Sequence, residues 1–214
     1  VTARGPSDAR AMRERLVEIG RRFDARGWVP ATSGNLSVRD GDGFWITASG
    51  RHKGRLSAED FVRAKLDAEA VRGNAQVTDR GAEAARPSAE TSIHAAVYQS
   101  LAEAQVVLHV HAVAGTLASL RASAAALLLP NVELLKAFGL GDAAPDVTVE
   151  VFDNHVAVPD IARDVARRLQ AGPLDVPGFL IRGHGLTAWG ASLDRAEHAV
   201  EAFESVFQLA NAVS

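Results

Sequence analysis

Apolar residues recur along this chain in two rhythms. Across residues 8–26, Met12, Leu16, Ile19 and Phe23 return every three or four positions, the spacing of an amphipathic helix. Ser7 or Asp8 can cap its start and Gly27 can close it. The rhythm then shortens to two. Leu36-Ser37-Val38-Arg39 alternates as a strand, Asp40-Gly41-Asp42-Gly43 offers a hairpin turn, and Phe44-Trp45-Ile46-Thr47 forms the return strand. Residues 57–62 predict a short helix, and the polar, Ala-rich stretch 68–86 predicts a hairpin with a mobile tip. A helix from Ser88 to about Ser100 turns Ile93, Val97 and Leu101 inward. Residues 105–111 read as a buried strand; 113–121 and 131–139 read as helices separated by an Ala/Leu-rich loop at 121–130. A strand at 147–152, a helix at 160–171 and strands at 177–182 and 186–190 follow. The last helix, 192–212, carries a sustained stripe of Leu193, Ala196, Val200, Phe203, Phe207 and Ala210.

This irregular alternation, with at least one hairpin, predicts a mixed sheet covered by helices. No repeat or linker interrupts residues 1–214, so one domain is expected, long enough to bury a sizeable core. A net charge of −3 and the lack of a long basic tract give no case for nucleic acid or a membrane surface. No apolar stretch reaches transmembrane length. The start carries Arg4, Pro6 and Asp8 without an apolar segment, so no signal peptide is expected and a soluble cytoplasmic protein fits best. Cysteine is absent. Any metal site must therefore use His, Asp or Glu, and a thiol nucleophile is excluded.

The chemistry concentrates in a few places. His109-Val110-His111 ends the apolar strand, and side chains at i and i+2 of a strand share a face. His184 sits in Arg182-Gly183-His184-Gly185, just past a second apolar run. Together they predict a three-histidine site for zinc or a related metal with an open coordination position. Three further segments suit an anion: Thr32-Ser33-Gly34-Asn35; Thr47-Ala48-Ser49-Gly50 with the basic Arg51-His52-Lys53 after it; and Ser88 at a helix start. Each alone is an ordinary turn; three beside a metal pair predict a phosphate pocket. Two carboxylates stand out. Glu90, in the first turn of the Ser88 helix, either complements the helix dipole or acts near the metal. Glu133 either faces solvent, paired with Lys136 at i+3, or serves as a general acid/base. Glu90 and His94 also form a rival i, i+4 metal pair, for which no third ligand is apparent.

PSAET at 87–91, HVH at 109–111 and RGHG at 182–185, preceded by TSGN and TASG, resemble the class II sugar-phosphate aldolase superfamily over about residues 10–212. GWVPATSGNLS, SGRHKGRL, RPSAET, FDNH and LIRGHGLTAWG look most like its dehydratase branch, and a ketose-phosphate aldolase is the alternative. The resemblance implies a three-layer α/β/α sandwich with a central mixed, largely antiparallel sheet. It implies a zinc ion, a small sugar-phosphate substrate and a homotetramer. Carried over by position, it implies His109, His111 and His184 as metal ligands. Gly34, Asn35, Ser49, Gly50, Lys53 and Ser88 match phosphate-binding positions. Glu133 matches the dehydratases' acid/base and Glu90 the aldolases' catalytic glutamate. His155 falls at a variable position, and the loop at 121–130 is not typical of the superfamily.

Overall fold

The structure, a computed structural model, describes residues 5–80, 85–123, 125–140 and 146–212. The tip of the anticipated 68–86 hairpin therefore lies partly outside the described residues. Helix α1 (Pro6–Ala25) leads into the hairpin of β1 (Asn35–Asp40) and β2 (Gly43–Thr47). Then come β3 (Phe61–Lys65), α2 (Ala68–Val71), β4 (Val77–Arg80), α3 (Thr91–Ser100), β5 (Val106–Val110) and α4 (Val113–Arg121). The chain closes with β6 (Ala126–Leu128), β7 (Thr148–Phe152), α5 (Val158–Ala171), β8 (Gly178–Ile181), β9 (Gly185–Gly190) and α6 (Leu193–Ala212).

Among the described residues the strands form one nine-stranded sheet in the order β4-β3-β2-β1-β5-β9-β8-β7-β6. Its pairs are antiparallel except β7 beside β8. Strand alternation feeds two cores. Leu36, Val38, Leu108 and Val110 point to one face, in one cluster with α1 and α6 residues such as Phe23, Phe203 and Phe207. Phe44, Ile46, Val107 and Phe179 point to the other, where α3 and α5 bring Val97, Tyr98, Ile161 and Val165. The expected three-layer sandwich is thus observed. Among the described residues no helix is long and apolar enough to cross a membrane.

Several local expectations need correction. Residues 57–62 are not helical. Ser57 donates from N and Oγ to Asp60 Oδ2, both at 2.9 Å, and this turn feeds β3. The Ser57–Asp60 contacts hold Ala58-Glu59 in that turn, and beyond it Val62 and Ala64 pair with Ile46 and Phe44, so the strand takes the place of the second half of the expected helix. The loop at 121–130 contains an edge strand, β6, paired with β7. Residues 133–138 form a 3₁₀ helix rather than an α-helix, closed by Gly139. Gly5, not Ser7 or Asp8, precedes α1, and Asp8 instead lies in its first turn, beside the helix's positive end. Helix α3 starts at Thr91 with Glu90 as its cap; Ser88 lies one turn earlier, its carbonyl accepting from Thr91 N at 3.1 Å.

Candidate metal centre and cleft

His109 sits on the middle strand of the sheet, opposite Asn35 of β1 and Thr187 of β9. It is fully buried, and its Nδ1 is 2.9 Å from Thr187 Oγ1. That contact fixes the ring and turns Nε2 toward the end of the strand. His111 falls just past β5, where its N–H donates to Trp28 O at 2.8 Å and α4 begins two residues later. His184 sits in the β8–β9 turn. Helix α4 holds that turn: Thr116 Oγ1 donates to His184 O at 3.2 Å, and Gly183 N donates to Ser119 Oγ at 2.9 Å. Close strand approach is required here, since a Cβ on Gly185 would collide with the Val110 carbonyl.

The three imidazoles converge, with ring centroids 4.6–5.0 Å apart. His109 Nε2 and His111 Nε2 are 3.0 Å apart. Glu90 reaches into the same point from the start of α3. Its Oε1 is 2.9 Å from His184 Nε2, and its Oε2 is 3.2 Å from His109 Nε2. The donor atoms of Glu90, His109, His111 and His184 all lie within 4.8 Å of one another. A tetrahedron with zinc–nitrogen lengths of about 2.0–2.1 Å has edges of about 3.4 Å, near the three contacts of 2.9–3.2 Å.

Protonation fits a cation as well. Burial outweighs the attraction of Glu90 and pushes His109 down to about 3. Burial and the nearby His184 lower His111. Burial alone would raise Glu90, but His109, His184 and the Asn35 amide outweigh it and hold its carboxyl well below the usual range. Near neutral pH His109 and His111 therefore present bare imidazole nitrogens beside the ionised Glu90 carboxylate, the state a divalent metal requires of its ligands.

Beside this centre lies a cleft of about 280 Å³. The three anion-suited segments meet there: Thr32–Asn35, Thr47–Gly50 and Ser88–Glu90 line it together with Lys53 and His111. The sequence explains how they are held. Gly34 adopts φ +72°, and a Cβ there would fall 2.7 Å from His109 O and 2.6 Å from Val29 Cγ1, so only glycine fits. Ser49 N donates to Arg86 O at 2.8 Å, tying the second segment to the third. Lys53 is 2% exposed, and its ammonium donates to Thr32 O at 2.6 Å and Arg51 O at 2.8 Å. It thereby joins the first two segments. Burial, partly offset by Glu90, lowers it to about 8.

The structure thus brings together all of the candidates named from the sequence except Glu133. That residue lies on the 3₁₀ helix with a side chain 87% exposed, 3.3 Å from Lys136 Nζ, and is not among the residues lining the cleft. Asn35 is turned to Glu90, donating from Nδ2 to Oε2 at 2.9 Å. The rival Glu90–His94 pair does not form a site: Glu90 joins the histidines while His94 turns into the core against Ser37. Sequence reasoning placed Glu90 near the metal but not among the atoms that converge with the imidazoles, and it missed Thr187, which holds the His109 ring. An acidic residue at a helix start that follows the anion-suited Ser88 was the available signal, but the register of α3 on the sheet was not legible. His155 pairs with Asp164 at the surface, 2.9 Å away.

The fold and this centre define the class. The Class II Aldolase and Adducin N-terminal domain family matches residues 14–211, and the chain belongs to that family. Within it, the chain is 41% identical over 194 residues to the methylthioribulose-1-phosphate dehydratase of Microcystis aeruginosa, covering 90% of this chain and 91% of that protein. It is 43% identical over 196 residues to the dehydratase of the same name from Methylococcus capsulatus, covering 91% and 90%. Among solved structures, the L-fuculose-1-phosphate aldolase of Thermus thermophilus superposes with a TM-score of 0.70 at 26% identity, covering 94% of each chain. YgbL of Escherichia coli superposes at 0.78 with 22% identity, covering 96% and 91%, a likeness of fold.

Proposed function

We propose that the chain is a metal-dependent lyase that dehydrates 5-methylthioribulose 1-phosphate to 2,3-diketo-5-methylthiopentyl 1-phosphate. The observation that carries this is the convergence of three imidazoles and Glu90 beside a cleft built from three amide- and hydroxyl-rich segments. The relatives at 41–43% identity supply the substrate. We assign His109, His111 and His184 as the metal's ligands, with zinc as the ion. When bound, it supplies a Lewis acid that polarises the C2 ketone and acidifies the proton on C3.

The protein's own groups do the rest. Backbone amides and hydroxyls at Gly34, Ser49, Gly50 and Ser88 hold the phosphate, and the Lys53 ammonium adds charge. Asn35 contributes through Glu90, which it orients. A carboxylate removes the C3 proton, hydroxide leaves C4 with a proton, and the resulting enol ketonises, so one water is lost. We assign that carboxylate to Glu133. This assignment requires the 3₁₀ segment, from this subunit or a neighbouring one, to close over bound substrate. A second reading gives the step to Glu90, favoured by its carboxylate lying 2.9 Å from His184 Nε2 at the mouth of the cleft. We further propose a homotetramer acting in the cytoplasm in methionine salvage.

Incubation with methylthioribulose 1-phosphate tests the reaction. A diketone product supports dehydration. Dihydroxyacetone phosphate with an aldehyde would instead make the chain an aldolase.

A further inference from the structure

Strand β1 and helix α3 meet through polar contacts with a shared period. Asn35, Ser37 and Arg39 alternate onto one face of β1, while Glu90, His94 and Tyr98 recur every four residues at and along α3. Two strand residues advance about 6.8 Å and four helical residues about 6 Å, so the two rows stay in step. At the first rung, Asn35 Nδ2 donates to Glu90 Oε2 at 2.9 Å. At the second, Ser37 Oγ lies 2.6 Å from His94 Nδ1 and 2.7 Å from Tyr98 Oη. At the third, Arg39 donates from Nη2 to the carbonyls of Tyr98 and Leu101, at 2.5 and 3.1 Å, and from Nε to Ala104 O at 3.0 Å.

This ladder is an odd way to build a core. Ser37, His94 and Tyr98 are at most 1% exposed, and they sit among Phe44, Ile93, Val97 and Val107. His94 Nε2 is left without a hydrogen-bond partner, which apolar packing at that position would have avoided. What the polar contacts provide is register. Sliding α3 by one residue along β1 would shift Glu90 by 1.5 Å and turn it by about 100°, and all three rungs would break. Apolar packing tolerates such shifts far better. The first rung also lies on the strand pair that carries the metal site, because Asn35 is the cross-strand partner of His109.

We propose that the Ser37–His94–Tyr98 contacts set the axial position of α3 on the sheet and so hold the Glu90 carboxylate in the imidazole cluster. His94 is then a positioning residue that acts through Glu90. The inference rests on the four-residue cluster being a metal centre and is independent of the substrate.

Cobalt tests it without turnover. Co²⁺ affinity, by competition with a chelator, and the visible absorption of the Co²⁺ protein are measured for the parent, Ser37→Ala, His94→Leu and Tyr98→Phe. Each substitution is also made in a Glu90→Gln background. In the parent background each should weaken Co²⁺ binding about 10- to 100-fold and alter the spectrum. In the Glu90→Gln background the same changes should leave affinity within about twofold, because the group they position is gone. Equal weakening in both backgrounds would mean general damage to the core and would overturn the proposal. So would unchanged affinity and spectrum in the parent background. Tyr98→Phe removes a single oxygen and decides the matter if the other variants do not fold. A parent protein that binds no Co²⁺ would instead overturn the metal-centre reading beneath it.

Discussion

Replacing Glu204 by glutamine should make the protein more stable, and only at higher pH. Glu204 lies on α6 and is 2% exposed, facing the start of α4, where a Cβ on Gly115 would come within 3.0 Å of its Oε1. That oxygen has no hydrogen-bond partner. Burial, little relieved by the Gly115 amide, pushes the carboxyl up from 4.5 to about 7. The unfolded chain releases this proton near its ordinary value, while the folded chain keeps it until about pH 7. Between those values the unfolded state binds fewer protons, so stability is full below about 4.5 and lost as pH climbs to about 7. At about 1.4 kcal/mol per unit the loss is about 3 kcal/mol. Glutamine keeps the shape and loses the charge, but its amide leaves a buried donor costing about 1 kcal/mol. The net gain at pH 8 is then about 2 kcal/mol, or a rise in Tm of about 4–8 °C for a chain of this size. Thermal melts of parent and variant at pH 4.5 and pH 8 check it. A Tm difference that does not change with pH would refute the reasoning.

Other expectations follow from the site. His111→Ala should lose both bound metal and turnover, whereas Glu133→Gln should keep the metal and lose turnover; metal analysis beside a kinetic assay separates them, and full activity in Glu133→Gln would transfer the proton step to Glu90. Since Lys53 sits at about 8, KM for the phosphorylated substrate should be flat below that pH and rise up to about tenfold per unit above it, with the break absent in Lys53→Met. Gly34→Ala combines a left-handed backbone with contacts of 2.6 and 2.7 Å, and chemical denaturation should show a loss of about 2–4 kcal/mol.

The parts of this fold legible in the sequence were those with one strong local rhythm. The stripes of α1, α5 and α6 and the Asp40–Gly43 hairpin needed no knowledge of neighbours. Residues 57–62 read as a helix because Ala58-Glu59 favours one locally, whereas a turn closes at Asp60 and pairing with β2 makes a strand of Phe61–Lys65. Strand β6 was missed for a related reason: three apolar residues on a sheet edge carry no period. The site divides the same way. His109, His111 and the glycine-bearing loops announce themselves through spacing and residue type. The roles of Thr187, Asn35 and His94 depend on which strand lies beside which, and the sequence holds no local record of that. Residue type alone does not separate Glu90 from Glu133; only the former stands at the start of a helix that begins beside the histidines.

Among the described residues His109 lies on the fifth of nine strands, with four on either side. Fraying begins at margins and reaches the middle of a sheet last. The end of β5 proposed to hold the ion is thereby expected to lie in the part of the molecule slowest to exchange its amide hydrogens, and the first of the proposed anion-binding segments shares that protection, because Asn35 pairs with His109. Changes around Ser49, beyond the neighbouring hairpin rather than on that strand pair, would then be expected to alter what the cleft holds while leaving the histidine-bearing strand in place.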